Sequence, residues 1–250
     1  MKTLCVIPAR MASSRFPGKP LKLINGIPMI KRVYNNVVTN NKIDFTYVAT
    51  CDKKILNYIK SFHGNVILTS SKHKRATDRT AEALLKIEKK HKIKFNTVLM
   101  LQGDEPMITS AMISKLLNVF HRNPKIKIAN LMTKIKSFDE FIDLNEPKVV
   151  VNKFRNAIYF SRCAIPSPWL YKQKNIYKQV CAIPFRRDYL LKFNRMKPTL
   201  LEKTESIDMN RIIENGDNIH MVEVSDYVKS IDTNSDLIEV EKLLKKIEKK

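Results

Sequence analysis

The chain has 250 residues, 44% of them hydrophobic, enough to fill one large α/β domain or a domain with an insertion. No apolar run reaches the roughly 18 residues of a transmembrane helix. The apolar stretch behind Met1 is too short for a signal peptide, so the expected compartment is the cytoplasm. Forty-six Lys and Arg against 24 Asp and Glu give a formal charge of +22, which suits either a polyanionic partner or a lysine-rich bias carried on solvated faces.

The charge raises the alternative of a basic nucleic-acid-binding protein. The sequence has no zinc finger, RNA-recognition signature or continuous basic helix, and its aromatics do not interleave with the basic runs, so neither nucleic acid nor membrane is an expected partner. Cys5, Cys51, Cys163 and Cys181 form no CxxC pair, and the five histidines form no HExxH, which argues against zinc.

In chain order, the first predicted strand is Thr3–Ile7. Helix Met29–Val38, strand Phe45–Thr50, helix Lys53–Ser61, strand Asn65–Thr69, helix Thr77–His91, strand Thr97–Leu101 and helix Ser110–His121 follow. Ile113, Leu116, Leu117 and Phe120 repeat at helical spacing. This alternation predicts an α/β fold with a doubly wound, mostly parallel sheet, whose ligands bind at the carboxyl ends of the strands. The pattern then changes. Val149–Val151 and Ala157–Phe160 read as strands around an Asn152–Asn156 turn, and Tyr177–Phe185 reads as a further strand. Residues 133–198 are therefore expected to form an insertion containing a β-ribbon, with 1–132 and 199–250 making the nucleotide-binding core. A helix near Ser206–Glu214, a strand at His220–Val224 and a helix from Ser235 complete the chain.

Three segments carry chemistry. The loop after the first strand concentrates Arg10, Arg15 and Lys19 without an acid, while Ser13, Ser14 and Gly18 let backbone approach a ligand. Forked guanidinium donors and a compact ammonium suit a triphosphate. The loop is not a P-loop, because Ser13 stands where its first glycine belongs and Pro20 where its Ser or Thr belongs. Leu101-Gln102-Gly103-Asp104-Glu105-Pro106 ends a strand in two carboxylates. Magnesium takes one or two carboxylates together with substrate phosphates, and Asp104 is the first candidate ligand. In Ser230–Asp236, two readings stay open: Asn234 or Ser235 caps the last helix, and Asp232 supplies a second metal ligand.

These segments resemble the CMP-Kdo synthetases, the 3-deoxy-manno-octulosonate cytidylyltransferases. The likeness rests on Pro8-Ala9-Arg10, Ser14 to Leu21, Gly26-Ile27-Pro28-Met29-Ile30, Gln102-Gly103-Asp104-Glu105-Pro106, Lys148-Val149-Val150, Tyr159-Phe160-Ser161-Arg162 and Ile231-Asp232-Thr233. It runs the length of the chain and in order. The resemblance implies a Rossmann-like nucleotidyltransferase and a homodimer whose insertion helps the subunits meet. It implies CTP and an acidic 3-deoxy sugar as substrates and magnesium (Mg2+) as cofactor. It assigns catalysis to Lys19, Asp104 and Asp232, the latter two as metal ligands. It places the nucleotide at Ala9, Arg10, Ser14, Arg15 and Lys19 and at His73, Ala76 and Thr77. Gln102, Arg162, Gln179, Asp208 and Met209 fall at sugar-facing positions.

Some positions depart from the family pattern. Ala76 replaces a glycine, Gln179 a histidine, and Asp208-Met209 a Glu-Gln pair. Glutamine carries no positive charge, and methionine is no comparable donor. The departures leave open Kdo, a modified Kdo or another ulosonic or nonulosonic acid as the sugar.

Overall fold

The first strand, β1 (Thr3–Ala9), is an unbroken apolar run because it is covered on both faces; Leu4, Cys5, Val6 and Ile7 have no exposed surface. The computed structural model containing it describes residues 1–12, 15–167, 169 and 175–248. Ser14, expected at the nucleotide, lies outside the described residues. Behind β1 come a short 3-10 helix (Lys19–Leu21), the hairpin β2 (Leu23–Ile24) and β3 (Ile27–Pro28), and α1 (Met29–Val38). Then follow β4 (Phe45–Thr50), α2 (Lys53–Ser61), β5 (Val66–Leu68), α3 (Ala76–His91), β6 (Thr97–Leu101) and α4 (Ser110–Arg122).

The chain divides into two compact units, residues 1–114 with 228–250, and residues 115–227. In the first unit the strands stand in the order β6–β1–β4–β5, and every neighbouring pair is parallel. Thr3 pairs with Thr97 and Leu4 with Phe45, so the three central strands end side by side. The connecting helices bury one stripe each; in α1 it is Met29, Ile30, Val33, Tyr34 and Val37. This is the doubly wound parallel arrangement the alternation predicts.

The second unit holds β7 (Ala129–Lys134), α5 (Phe138–Ile142), β8 (Lys148–Val151), β9 (Ala157–Ser161), β10 (Tyr177–Val180), β11 (Ala182–Arg186), α6 (Arg187–Arg195), α7 (Leu200–Glu205), α8 (Asn210–Glu214) and β12 (His220–Val224). Its sheet runs β12–β7–β10–β8–β9, with β12–β7 parallel and the other pairs antiparallel. Ala157 N donates to Ile219 O (2.9 Å) and Met221 N to Arg155 O (2.7 Å), so the two outer strands meet at one end. The β8–β9 hairpin turns where expected. Asn152 Oδ1 accepts from Phe154 N and Asn156 N, and Arg155 takes the left-handed conformation with φ 62°.

Three expectations are corrected here. The second unit extends past 133–198 on both sides, because β12 pairs with β7, His220 with Ala129 through Val224 with Thr133, and binds both flanks to the sheet. The single strand expected over Tyr177–Phe185 breaks at Cys181, where β10 ends and β11 begins. The helix expected over Ser206–Glu214 begins at Asn210, because Ser206 adopts the left-handed conformation and closes α7. The last helix, α9 (Asn234–Glu248), returns to the first unit, where Glu241 accepts from Asn25 N (2.8 Å) and Glu248 pairs with Arg32. Among the described residues no helix is long and apolar enough to cross a membrane.

Candidate active site

The carboxyl ends of β1 and β6 lie side by side, so the loops that leave them are neighbours. The loop after β1 folds back on itself through Gly18 N to Met11 O (3.1 Å) and ends on Gly18, whose φ of 72° favours glycine. Pro20 then occupies the first turn of the 3-10 helix, where a missing N–H costs nothing. This pins the backbone of Lys19 and aims its stem inward. The loop after β6 comes close because Gly103 has no side chain. A Cβ there would lie 3.2 Å from Ile30 Cδ1 and 3.4 Å from the Pro8 carbonyl oxygen.

The two loops meet at one ammonium. Lys19 Nζ donates to Asp104 Oδ2 (2.7 Å), Asp232 Oδ1 (3.0 Å) and the Ile231 carbonyl oxygen (2.8 Å). Arg15 reaches the same Asp232 oxygen at 3.0 Å. The side chains of Lys19, Asp104 and Asp232 are only 12%, 21% and 16% exposed, so the cluster is shielded from water. Burial works to lower the Lys19 pKa, but the charges of Asp104 and Asp232 and their hydrogen bonds outweigh it and raise it above the ordinary lysine value.

Asp232 arrives from far along the chain, and its segment is tied down by backbone: Ile231 N donates to Asp104 O (3.0 Å). The helix cap is Thr233, not Asn234 or Ser235. Its hydroxyl accepts from Asp236 N (3.3 Å) while Asp236 Oδ2 accepts from Thr233 N (2.8 Å), a reciprocal capping box. Asp236 also accepts from Asp232 N (3.0 Å), which leaves the Asp232 carboxylate to the cluster.

One positioning residue escaped the sequence reading. Asp52, just past β4, accepts from Met11 N at 2.9 Å and anchors the loop that carries Arg10 and Arg15. Its only sequence signal is its place at a strand's carboxyl end. Arg10 is exposed, while Ala9 is buried at the end of β1. His73 lies in the turn between β5 and α3, Ala76 and Thr77 open α3, and Thr77 is fully buried. Glu82 holds this turn by accepting from Ser70 N (2.9 Å), pairing with Lys86 (2.7 Å) and contacting His73. Burial alone would raise the Glu82 pKa, but these partners bring it down to about 2.

A cytidylyltransferase family profile matches residues 4–223. The chain is 39% identical to the 3-deoxy-manno-octulosonate cytidylyltransferase of Thermodesulfovibrio yellowstonii and 37% identical to that of Fusobacterium nucleatum subsp. nucleatum. The two alignments cover 98% and 96% of both partners. The chain belongs to the 3-deoxy-manno-octulosonate cytidylyltransferases. A solved structure of CMP:2-keto-3-deoxy-manno-octonic acid synthetase complexed with CTP shares the fold at a TM-score of 0.88 and 34% identity, over 98% of this chain and 99% of that one. The Rossmann-like nucleotidyltransferase fold is thereby established.

The positions at which this cytidylyltransferase was expected to face a sugar are divided. Gln102 belongs to the first unit, whereas Arg162, Gln179, Asp208 and Met209 belong to the second. Met209, expected to face the sugar, is fully buried, as is Ile212. The unbranched apolar side chain of methionine favours that environment. Gln179 is 8% exposed and donates its amide to Asn130 Oδ1 (2.7 Å). Arg162 donates from Nε to Glu205 O and from its guanidinium to Leu144 O, both at 2.8 Å. Glu205 in turn accepts from Tyr159, Ser161 and the Arg162 backbone; burial works to raise its pKa, and these bonds bring it below the ordinary value.

Proposed function

We propose that this chain transfers a cytidylyl group from CTP to 3-deoxy-manno-octulosonate, releasing pyrophosphate, in the cytoplasm and as a homodimer. The observation that carries the reading is the convergence of Lys19 and Asp104, from the loops that leave the adjacent parallel strands β1 and β6, with Asp232, from the segment before α9, in a chain of this family. Four free cysteines accord with a reducing compartment. The second unit exposes Ile142, Leu144, Phe154 and Ile158, apolar surface suited to a partner subunit.

The residues present fit magnesium. Two carboxylate oxygens lie within 3.0 Å of one cationic centre, and hard oxygen donors of this number suit an ion that completes its shell with phosphate oxygens and water. Asp104 and Asp232 would hold it. When bound, magnesium offsets charge on the phosphates and favours the ionised form of the attacking hydroxyl.

The anomeric hydroxyl oxygen of the sugar bonds to the α-phosphorus as the bond to the β-phosphate bridging oxygen breaks. The hydroxyl proton is released and pyrophosphate leaves. Arg10 and Arg15 lie on the loop after β1, where guanidinium groups bind the triphosphate by forked hydrogen bonds. Lys19 places a compact charge against the departing pyrophosphate. Positioning and electrostatics supply the rate, and no covalent enzyme intermediate forms.

The test is pyrophosphate release from CTP and magnesium with a panel of acids: Kdo, its 8-amino analogue and a sialic-type nonulosonate. Release with Kdo is the expected result. Release with another acid alone would move the substrate assignment to that acid and make Gln179 and Asp208 the positions to examine.

A further inference from the structure

Lys19 uses all three of its ammonium donors inside the cluster: Asp104 Oδ2, Asp232 Oδ1 and the Ile231 carbonyl. A divalent cation held by Asp104 and Asp232 would need the same two carboxylates that the Lys19 ammonium already engages within 3.0 Å. Lysine and metal are therefore competitors for one place. We propose that Lys19 is a resident counter-ion that keeps a divalent cation out of the Asp104–Asp232 pair until a nucleotide triphosphate draws its ammonium away, so that metal enters with the nucleotide and not before it. The inference rests on the metal assignment made under Proposed function and adds an order of loading to it.

Three observations support it. First, Lys19 is held in place: its backbone is fixed between Gly18 and Pro20, and its side chain is 12% exposed. Arg15, which shares Asp232, is 47% exposed. Second, the protein offers metal little beyond this pair, since among the described residues no group of three His, Cys, Asp or Glu side chains is placed to hold an ion. Magnesium gives up its water reluctantly and is seldom caged by protein alone. Metal by itself gains two carboxylates and leaves a shielded ammonium with only the Ile231 carbonyl as acceptor. Metal arriving with a triphosphate gains phosphate oxygens, and the same phosphates supply Lys19 with new acceptors. Third, the lysine stem is flexible enough to change partners while its backbone stays fixed.

The competition has a measurable size. If Lys19 leaves the carboxylates open for about a tenth of the time or less, the apparent metal affinity of the free enzyme is reduced by about tenfold or more. Removing the ammonium removes that penalty.

The experiment is a titration of the full chain with Mn2+, followed by electron paramagnetic resonance, with and without CTP. It compares the wild type with Lys19→Met, Lys19→Gln, Lys19→Arg and the double variant Lys19→Met/Asp104→Asn. Without nucleotide, the Met and Gln variants are expected to bind Mn2+ about tenfold more tightly than the wild type. Lys19→Arg should stay weak, and the double variant should lose the gain. Equal Mn2+ affinity in the wild type and both neutral variants, with Asp104-dependent uptake still seen when CTP is added, overturns the proposal and leaves the metal assignment standing. No Asp104-dependent uptake in any arm removes the metal assignment and the proposal together. The wild type alone also decides: if it takes up Mn2+ as tightly without CTP as with it, Lys19 excludes nothing, whatever the variants do.

Discussion

The two units place the same kinds of charged residue in opposite circumstances. In the first unit, Lys19, Asp104 and Asp232 sit in segments that meet beyond the carboxyl ends of β1 and β6, shielded but still 12–21% exposed. In the second, Arg211 and Glu202 form a pair that is 4% and 1% exposed, with Arg211 Nε donating to Glu202 Oε2 at 2.6 Å and its guanidinium 4.5 Å above the Phe193 ring. Lys178 is 1% exposed between Glu140 and Glu146. A charge pair enclosed in the core organises that core and lies out of reach of a ligand. A cluster at a strand end keeps its charges within reach of one.

This contrast can be broken by substitution. Asp104→Asn should lower turnover by about a thousandfold, equivalent to roughly 4 kcal/mol of transition-state stabilisation, with little change in melting temperature. Near-normal turnover at saturating magnesium would falsify its ligand role. Arg211→Met should do the reverse. It should cost about 3–5 kcal/mol of stability by leaving Glu202 charged and buried, with turnover per folded molecule close to wild type. Denaturant melts should then show Arg211→Met/Glu202→Met regaining most of the loss. If the double variant is as unstable as the single one, the ion pair itself, and not the orphaned charge, holds α7 and α8 together.

Smaller effects sharpen the boundary. Asp52→Ala removes the acceptor of Met11 N and should raise the KM for CTP about tenfold with a lesser effect on kcat. Asp52→Asn, which keeps an acceptor oxygen, should recover most of it; equal damage in both would point to charge and not to loop positioning. Glu82 gives the smallest effect. Its folded pKa of about 2 lies below the roughly 4.3 of an unfolded glutamate, so its contribution is complete above the unfolded value and is lost as pH falls toward 2. Between about pH 5 and pH 3, the wild-type melting temperature should fall more steeply than that of Glu82→Gln. Parallel slopes would detach Glu82 from acid stability.

Local pattern was enough for β1, β4, β6 and the helices of the first unit, because a strand buried on both faces and a helix with one apolar stripe both leave a periodic mark in sequence. It failed for β7, where Asn130 is fully buried and donates its amide to Val180 O (2.6 Å); a satisfied buried polar residue imitates a loop. It failed again for α6, whose inward residues Tyr189, Leu190 and Phe193 cover barely two turns.

The sequence by itself determined the chemistry on offer: a basic loop after one strand, an acid after another, and a third motif near the end, each within a few residues of chain. Tertiary structure alone decided what these motifs meet. It brought Asp232 to Lys19 through the Ile231–Asp104 backbone bond, turned Asp52 onto the loop of Arg10 and Arg15, and gave the helix cap to Thr233 so that Asp232 stays with the cluster. It also buried Met209. The physical reason is range. Propensity and periodicity act over a few residues, whereas a hydrogen bond between residues 19 and 232 exists only once parallel strands have set their loops side by side.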